Sequence, residues 1–287
     1  MKALFLTLIL LFAAAPAHSG ELGDLLKEKI NAKLKKDQPQ TNEAPAQTQT
    51  PALGKISDED EIALGREIAG NLLGAAPLIN DVQLQKYVNK IGKWVALQSE
   101  RPDLPWTFGV IESNDINAFA APGGYVFVTR GLYRLLNDES ELAGVLAHEI
   151  SHVVKKHHLK IMQKSALIDL GSELLSKKLA KNGHSANRLI GSGAEIMSRS
   201  LDKDAEFEAD RMGIVLATGA GYEPWGLPTV LQEIGNVGAQ DSSVALLFKT
   251  HPLPDERLAK LDESLGNKLD GIKGGKTLST RLYKLKN

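Results

Sequence analysis

The stretch that decides the fold is Leu142–Val154, which reads LAGVLAHEISHVV and contains the pattern HEISH at His148–His152. Residues four apart lie on one face of an α-helix, so a helix here places the side chains of His148 and His152 next to each other. Two imidazoles in this arrangement can bind one Zn²⁺, and the carboxylate of Glu149 can take a proton from a water molecule at the metal. The stretch therefore predicts a metal-binding helix that carries its own general base.

The sequence around this pattern predicts that the helix is buried. Asp138 is a candidate N-cap, and Glu141, three residues later, can complete a capping box. The apolar residues that follow point in nearly every direction around a helix, which is typical of a helix covered on all sides. Two buried histidines and a buried glutamate are costly unless they have a partner, and a metal ion is such a partner. The alternative is a core helix whose histidines bind the backbone; we favour the metal.

A later stretch, DAEFEAD at Asp204–Asp210, offers a third ligand. A catalytic zinc needs three protein ligands and one open position. Glu206 and Asp210 are four apart and share a helix face, so Glu206 can complete a site with two histidines, while Asp210 can accept the free ring N–H of one of them. Glu208 points to another face, and we expect it at the surface. Carboxylates near a helix N-terminus also have a dipole explanation, so spacing alone leaves the role of Glu206 open.

Composition narrows the chemistry. The 287 residues are 43% hydrophobic, enough for one sizeable core or two small domains. A net charge of −1 gives no reason to expect a nucleic-acid partner. The chain has no cysteine, which excludes disulfides, thiolate zinc ligands and a cysteine nucleophile. Any zinc site must therefore be built from histidines and carboxylates.

The N-terminal residues predict export. A short positive start, an apolar stretch and the sequence Ala15-Pro16-Ala17 indicate a signal peptide over 1–19 and a periplasmic location; an uncleaved signal anchor is the alternative. Residues 20–55 comprise an amphipathic segment, Glu21–Lys36, and a linker rich in Gln, Thr, Pro and Ala, which we expect to be disordered. The amphipathic segment fits a membrane surface, a partner protein or a solvated tether.

The folded part is predicted over 56–270, followed by a basic tail over 271–287. We expect an α+β domain that is mostly helical, with a small antiparallel or mixed sheet beside the HEISH helix. The predicted helices begin after Ser57 and cover Asp81–Gln98, and the predicted strands are Trp106–Glu112, Ile116–Ala121 and Tyr125–Thr129. The HEISH helix is expected to continue through Lys155–Asn182, and Gly183–Arg199 to form a mobile loop or lid.

Five motifs in order resemble family 48 of the metallopeptidases, a gluzincin family that includes the CaaX prenyl endopeptidase, HtpX and BepA types. They are HEISH at His148–His152, EFEAD at Glu206–Asp210, NAFA followed by PGGY within Asn117–Tyr125, GYEP at Gly221–Pro224, and HPLPDER at His251–Arg257. The resemblance implies a zincin-like fold and one Zn²⁺ per chain on His148, His152 and Glu206. It also implies polypeptide substrates that add to an edge strand at Asn117, Ala118 and Phe119.

The resemblance also has departures. The chain lacks the several transmembrane helices of the prenyl protease and HtpX types, and it is too short after Leu265 for the tetratricopeptide domain of BepA types. We therefore expect a stand-alone exported member that hydrolyses misfolded or unassembled envelope proteins, with membrane-surface or outer-membrane assembly proteins as partners. The substrate class rests on the resemblance alone.

Other histidines and one arginine have less settled roles. By resemblance, His251 is a fourth metal ligand that plugs the site; it could otherwise stabilise the oxyanion, as could Arg257, or simply flank a helix. His157 lies five residues past His152, off the ligand face of a continued helix, so we expect it and His158 at the surface or in the layer around the ligands.

Two functional hypotheses follow. The first is a zinc-dependent endopeptidase in which Glu149 is the general base. The second is a periplasmic chaperone or client-binding module whose proteolysis is latent and whose edge strand holds clients. A purely structural zinc is disfavoured, because three ligands leave a position open beside Glu149.

Overall fold

The computed structural model describes residues 56–163, 201–269, 271–272 and 274–285. The predicted signal peptide, the amphipathic segment, the linker and the predicted lid lie outside the described residues, so these assignments stay predictions. Within the described part of the chain, no helix has the length and apolar character needed to cross a membrane.

The described elements form an α+β domain with a three-stranded sheet, as predicted. In chain order they are α1 (Asp58–Ala75), α2 (Val82–Ala96), β1 (Thr107–Ile111), β2 (Ala118–Ala121), β3 (Tyr125–Thr129), α3 (Arg130–Leu135), α4 (Glu139–Val154), α5 (Lys203–Gly219), α6 (Gly226–Val237), α7 (Leu247–Thr250) and α8 (Pro254–Leu265), with short 3₁₀ turns at Ser242–Val244, Gly266–Leu269 and Ser279–Arg281.

The sheet is mixed and has the order β1-β3-β2. β3 pairs with β1 in parallel and with β2 antiparallel, so β2 is an edge strand next to α4. It begins at Ala118, two residues later than predicted, because the side chain of Asn117 folds over and accepts the Ala118 N–H at 3.0 Å. The sheet thus presents a short edge to the HEISH helix.

The HEISH helix α4 lies at the centre of the domain, and all sixteen of its residues are buried. Asp138 caps it by accepting the backbone N–H of Glu141 at 3.0 Å, as predicted. The side chain of Glu141 reaches one residue further back than in a standard capping box and accepts the N–H of Asn137 at 2.6 Å. The prediction of a completely covered helix is therefore confirmed.

Close packing of α5 on α4 depends on a glycine. A Cβ added to Gly213 would lie 3.0 Å from the backbone nitrogen of His148 and 3.1 Å from its Cα. Such contacts are tighter than nearly all those of a real Cβ, so a larger residue here would push the two helices apart by a few tenths of an ångström. Gly213 lies two turns beyond Glu206 on the same helix, so this approach brings the acidic start of α5 to the histidines of α4.

The prediction that α4 continues unbroken through Lys155–Asn182 is wrong at its start, and residues 164–182 of that prediction lie outside the described residues. The helix ends at Val154, and Lys156 adopts a left-handed conformation with φ of 56°. A left-handed residue after a helix terminates it, although glycine is usual in this role. Helical backbone resumes at residues 157–163 in a new direction.

A buried ion cluster surrounds this helix end. Glu61 of α1 is 1% exposed and binds Arg101 at 2.8 Å and Lys156 at 2.8 Å, and it also accepts the N–H of Gly123 in the β2–β3 turn at 3.1 Å. One carboxylate thus joins α1, the sheet turn and the end of α4.

The last described residues, predicted as a basic tail, contact the domain. The carbonyl oxygen of Thr277 accepts both N–H groups that begin α4, those of Glu139 and Ser140, at 3.0 and 3.1 Å. Leu282 is buried, and the hydroxyl of Tyr283 donates to Asp81 at 2.9 Å. This segment therefore helps to hold the N-terminal end of the HEISH helix.

Candidate metal centre

Four side chains from three parts of the chain converge at one buried point. The Nε2 atoms of His148 and His152 lie 3.0 Å apart. A carboxylate oxygen of Glu206 lies 3.7 Å from Nε2 of His148, and the other lies 3.5 Å from Nε2 of His152. One ligand atom from each of these residues and one from His251 all lie within 4.8 Å of one another. The two predicted histidines and the predicted glutamate therefore share one site.

The donor set fits a zinc ion. Oε1 of Glu206 is buried and has no hydrogen-bond partner among the described residues, although a buried carboxylate oxygen is costly in that state. It faces Nε2 of His152 at 3.5 Å, and the Nε2 atoms of His148 and His152 cannot both donate to each other. Nitrogen and oxygen donors at tetrahedral corners are what Zn²⁺ takes in cysteine-free sites. A cation bound here would satisfy all three groups at once.

Asp210 lies behind His148, as the spacing predicted. Its Oδ1 is 2.9 Å from Nδ1 of His148, so this nitrogen donates and the Nε2 of the same ring stays free to bind a metal. Arg257, which is 4% exposed, donates to both oxygens of Asp210, at 2.9 and 2.5 Å. Burial alone would raise the pKa of Asp210, but Arg257 and His148 hold it well below its usual range.

His251 closes the site on the side of Glu206. Its Nδ1 lies 2.7 Å from Oε2 of Glu206, and its ring centroid is 5.7 Å from that of His148. Burial alone would lower the pKa of His251, but the charge of Glu206 and the hydrogen bond to it, with a smaller effect of Glu149, raise this pKa overall. Conversely, burial would raise the pKa of Glu206, but His251 and the other two histidines hold it well below its usual range.

Glu149 lies in a cleft next to this cluster. The cleft is lined by Ala118, Phe119, Ala120, Glu149, His158, Leu201, Thr250 and His251. Glu149 is 3% exposed, and burial raises its pKa above the usual value of a glutamate. A carboxylate that binds a proton more readily than usual suits a group that takes up and releases one during a reaction.

The edge strand forms the opposite wall of the cleft. Ala118 and Phe119 line it, whereas Asn117 is fully buried at the strand's start, with its Nδ2 unpartnered among the described side chains. Asn117 and Thr129 are joined by a backbone hydrogen bond, so the alternating ladder turns the N–H and C=O groups of Ala118 and Ala120 away from β3. The carbonyl groups and the Ala120 N–H therefore face the free side of the strand.

Reasoning from sequence placed one residue of the site only as surface or around the ligands, and it gave another no role in the site. His157, which a continued helix would turn away, is 4% exposed and lies 2.9 Å from His152, Nδ1 to Nδ1. Glu208, predicted at the surface, is 44% exposed but lies 3.2 Å from the Nε2 of His157. The signal for both depends on the chain reversal at Lys156, which no local sequence pattern indicates.

Comparison with known proteins identifies the class. Residues 82–265 match the peptidase family M48, and this range contains all four residues of the cluster. The chain therefore belongs to peptidase family M48 and is a metallopeptidase by family, which implies a metal, generally zinc. The predicted gluzincin fold and the predicted family are confirmed.

Individual relatives fall in the same family. The chain is 36% identical over 217 residues to the beta-barrel assembly-enhancing protease of Escherichia coli (strain K12). This alignment covers 73% of this chain and 45% of that protein. It is 32% identical over 251 residues to the Yersinia pestis protein of the same name, covering 83% and 51%. It is 26% identical over 219 residues to metalloprotease YcaL of Escherichia coli (strain K12), covering 74% and 82%. The chain spans about half the length of the assembly-enhancing proteases that it matches.

Proposed function

We propose that the protein is a zinc-dependent endopeptidase with one Zn²⁺ per chain, held by His148, His152 and Glu206. The observation that carries this proposal is the buried carboxylate of Glu206: its unpartnered Oε1 lies 3.5 Å from Nε2 of His152, and its Oε2 lies 3.7 Å from Nε2 of His148. When bound, zinc supplies a Lewis acid that polarises a peptide carbonyl and lowers the pKa of water.

Glu149 is the proposed general base and acid. It follows His148 directly, lies in the cleft beside the cluster, and has a raised pKa because it is buried. It accepts the proton of the attacking water and later delivers that proton to the leaving amine of the cleaved peptide. Asp210, held by Arg257, keeps the Nδ1 proton on His148 and fixes the orientation of its ring.

The substrate is proposed to bind as an additional strand along β2. An extended peptide there can pair with the outward-facing carbonyls of Ala118 and Ala120 and with the Ala120 N–H, which tolerates many side chains. Phe119 lines the cleft, while Asn117 accepts the Ala118 N–H at the start of the strand. Arg257 is engaged with Asp210 through two hydrogen bonds, which favours a positioning role over oxyanion stabilisation.

Envelope proteins are the proposed substrates. Two relatives carry the name beta-barrel assembly-enhancing protease, and the N-terminal sequence fits a signal peptide. We therefore propose a periplasmic location, misfolded or unassembled envelope polypeptides as substrates, and outer-membrane assembly proteins or a membrane surface as partners.

The second candidate is a client-binding protein with latent proteolysis. The observation that favours it is His251, which lies within the cluster and binds Glu206 at 2.7 Å. A histidine in this place can act as a fourth ligand and plug the open position. Clients would then be held at β2 without being cleaved.

Casein cleavage by the wild type and by Glu149→Gln separates the two candidates. We predict cleavage by the wild type and a loss of about 10²–10⁴-fold in Glu149→Gln, the usual contribution of a general base. Glu59→Gln, the same change at an exposed residue of α1 outside the cleft, should keep most of the activity. Casein bound equally by both proteins and cleaved by neither would contradict the enzyme and support the client-binding protein.

A further inference from the structure

The second ring nitrogen of His152 has a partner that the proposed mechanism does not use. If His152 binds the metal through Nε2, its Nδ1 must carry the proton and must donate to an acceptor. That acceptor is Nδ1 of His157, at 2.9 Å. His148 donates to a carboxylate in the same position, so the two ligand histidines have different partners.

Hydrogen-bond accounting then fixes the state of His157. Its Nδ1 accepts from His152, so a neutral His157 carries its proton on Nε2. This Nε2 lies 3.2 Å from Oε2 of Glu208, which can only accept. The result is a hydrogen-bond chain with a single donor direction, in which His152 donates to His157 and His157 donates to Glu208. Every donor in the chain has an acceptor.

The backbone conformation at Lys156 allows this series of hydrogen bonds to form. On a continued helix, His157 would lie about 140° around the axis from His152 and could not reach it. The left-handed Lys156 reverses the chain after α4 and returns His157 to the ring of His152. A left-handed backbone is unfavourable in a residue with a side chain. Ion pairs from Lys156 Nζ to Glu61 at 2.8 Å and to Asp58 at 3.3 Å hold this turn.

The hydrogen-bond chain that ends at Glu208 also differs in solvent exposure from the hydrogen bond between His148 and Asp210. Asp210 is fully buried and is neutralised by a buried arginine. The side chain of Glu208 is 44% exposed, and the Nζ of Lys155 lies 4.0 Å from it. One ligand histidine is therefore fixed from within the core, and the other is fixed from the surface through an intermediate ring.

We propose that His157 and Glu208 are positioning residues for the metal, acting through His152. His157 holds the Nδ1 proton on His152 and sets the orientation of its ring, and Glu208 holds His157 in the tautomer that can accept. Loss of such outer partners lowers metal affinity by about 10–100-fold in comparable sites. The inference rests on the metal site of the proposed function.

The test is zinc affinity of the full chain, measured by competition with a chelating dye. His157→Phe keeps the ring volume and removes the acceptor. His157→Asn places an amide oxygen where Nδ1 was, so it keeps the acceptor and loses the link to Glu208. Glu208→Gln weakens the outer acceptor, and Asp204→Asn is the matched control, because it removes one exposed carboxylate from the same helix.

We expect His157→Phe to bind zinc about 10–100-fold more weakly than the wild type, and His157→Asn to recover most of this loss. Glu208→Gln should weaken binding by about two- to tenfold, and Asp204→Asn by less than about twofold. In the His157→Phe background, Glu208→Gln should have no further effect, because the link is already broken. In ¹⁵N NMR spectra of the wild type, the His157 ring should be protonated on Nε2, with or without zinc.

Three results would overturn the inference while leaving the proposed function intact. They are an unchanged zinc affinity in His157→Phe, equal losses in His157→Phe and His157→Asn, and equal effects of Glu208→Gln and Asp204→Asn. A wild-type chain that binds no zinc contradicts the proposed function itself and the inference with it. Circular dichroism of the exposed Glu208→Gln variant separates a change in the site from a loss of folding.

Discussion

At the scale of single residues, the candidate metal centre contains several buried ionisable groups, and each is stable in the core only because the others compensate its charge. Glu206 is fully buried, and its carboxylate stays charged because the histidines around it lower its pKa against the effect of burial. Asp210 is held in the same way by Arg257. Removing any one partner leaves a buried charge without compensation, which is more damaging than the loss of a surface pair.

His251 provides a test at this scale. If His251 blocks the open position at the metal in most molecules, only a small fraction of the protein can cleave substrate at any time. His251→Ala should then raise casein cleavage by about three- to tenfold. Zinc content should not change, since His148, His152 and Glu206 remain. His158→Ala is the control, because His158 lines the same cleft without bonding to Glu206. Lower activity in His251→Ala alone would contradict the plug and favour oxyanion stabilisation.

Residue spacing predicted one half of the centre but did not predict the contacts of the other half. His148 with His152 and Glu206 with Asp210 are pairs four apart, and helical geometry places such pairs on one face whatever the rest of the fold does. His157 and Glu208 are not readable in this way. They meet only because Lys156 adopts a left-handed conformation that lysine does not itself favour.

At the scale of elements, the edge strand β2 and the HEISH helix must keep a fixed separation for a peptide to fit between them. Two features hold it: Gly213, which lets α5 approach α4, and Glu61, which binds the sheet turn and the end of α4 together. Strand and helix positions were predictable from alternation and capping. The role of Glu61 was not, because its partners Arg101, Gly123 and Lys156 are remote in sequence.

The outward-facing N–H of Ala120 gives a prediction for the strand. Ala120→Pro removes this donor without touching the metal, so we expect kcat/KM to fall by about three- to tenfold, the value of one net hydrogen bond. Zinc content should stay at the wild-type level. Ala120→Gly keeps the N–H and serves as the control. Equal activity of Ala120→Pro and Ala120→Gly would argue against substrate pairing with this strand.

The buried cluster around Glu61 gives a prediction for stability. Burial would raise the pKa of Glu61, but its bonds to Arg101, Lys156 and the Gly123 N–H lower it overall from its ordinary value of 4.5. The native carboxyl therefore binds a proton less readily than the unfolded one. Its contribution to stability is complete above the unfolded pKa and is lost as the pH falls through the native pKa.

We therefore expect Glu61→Gln to lower the free energy of unfolding by about 3 kcal/mol near neutral pH, the scale for breaking a buried ion pair. The difference from the wild type should shrink as the pH falls below 4.5. Urea unfolding at neutral and acidic pH measures both effects. Glu59→Gln, an exposed residue in the same first turn, is the control. A difference that persists unchanged in acid would count against this assignment.

At the scale of the whole molecule, the metal would join parts of the chain that are far apart in sequence. His148 and His152 belong to α4, Glu206 to α5, and the segment 164–200 between them lies outside the described residues. These two helices share the most extensive contact in the domain. Composition could predict that zinc ligands would be histidines and carboxylates, but only the packing of α5 on α4 brings Glu206 to the histidines.

Metal content measures the central claim most directly. Purified wild type, Glu149→Gln and Glu206→Ala should be compared by elemental analysis after equal dialysis. We predict one zinc per chain in the wild type and in Glu149→Gln, because the general base is not a metal ligand. We predict little or no zinc in Glu206→Ala, because two histidines alone bind the metal weakly. A wild type without zinc, or a Glu206→Ala variant that keeps a full zinc ion, would contradict the proposed metal centre.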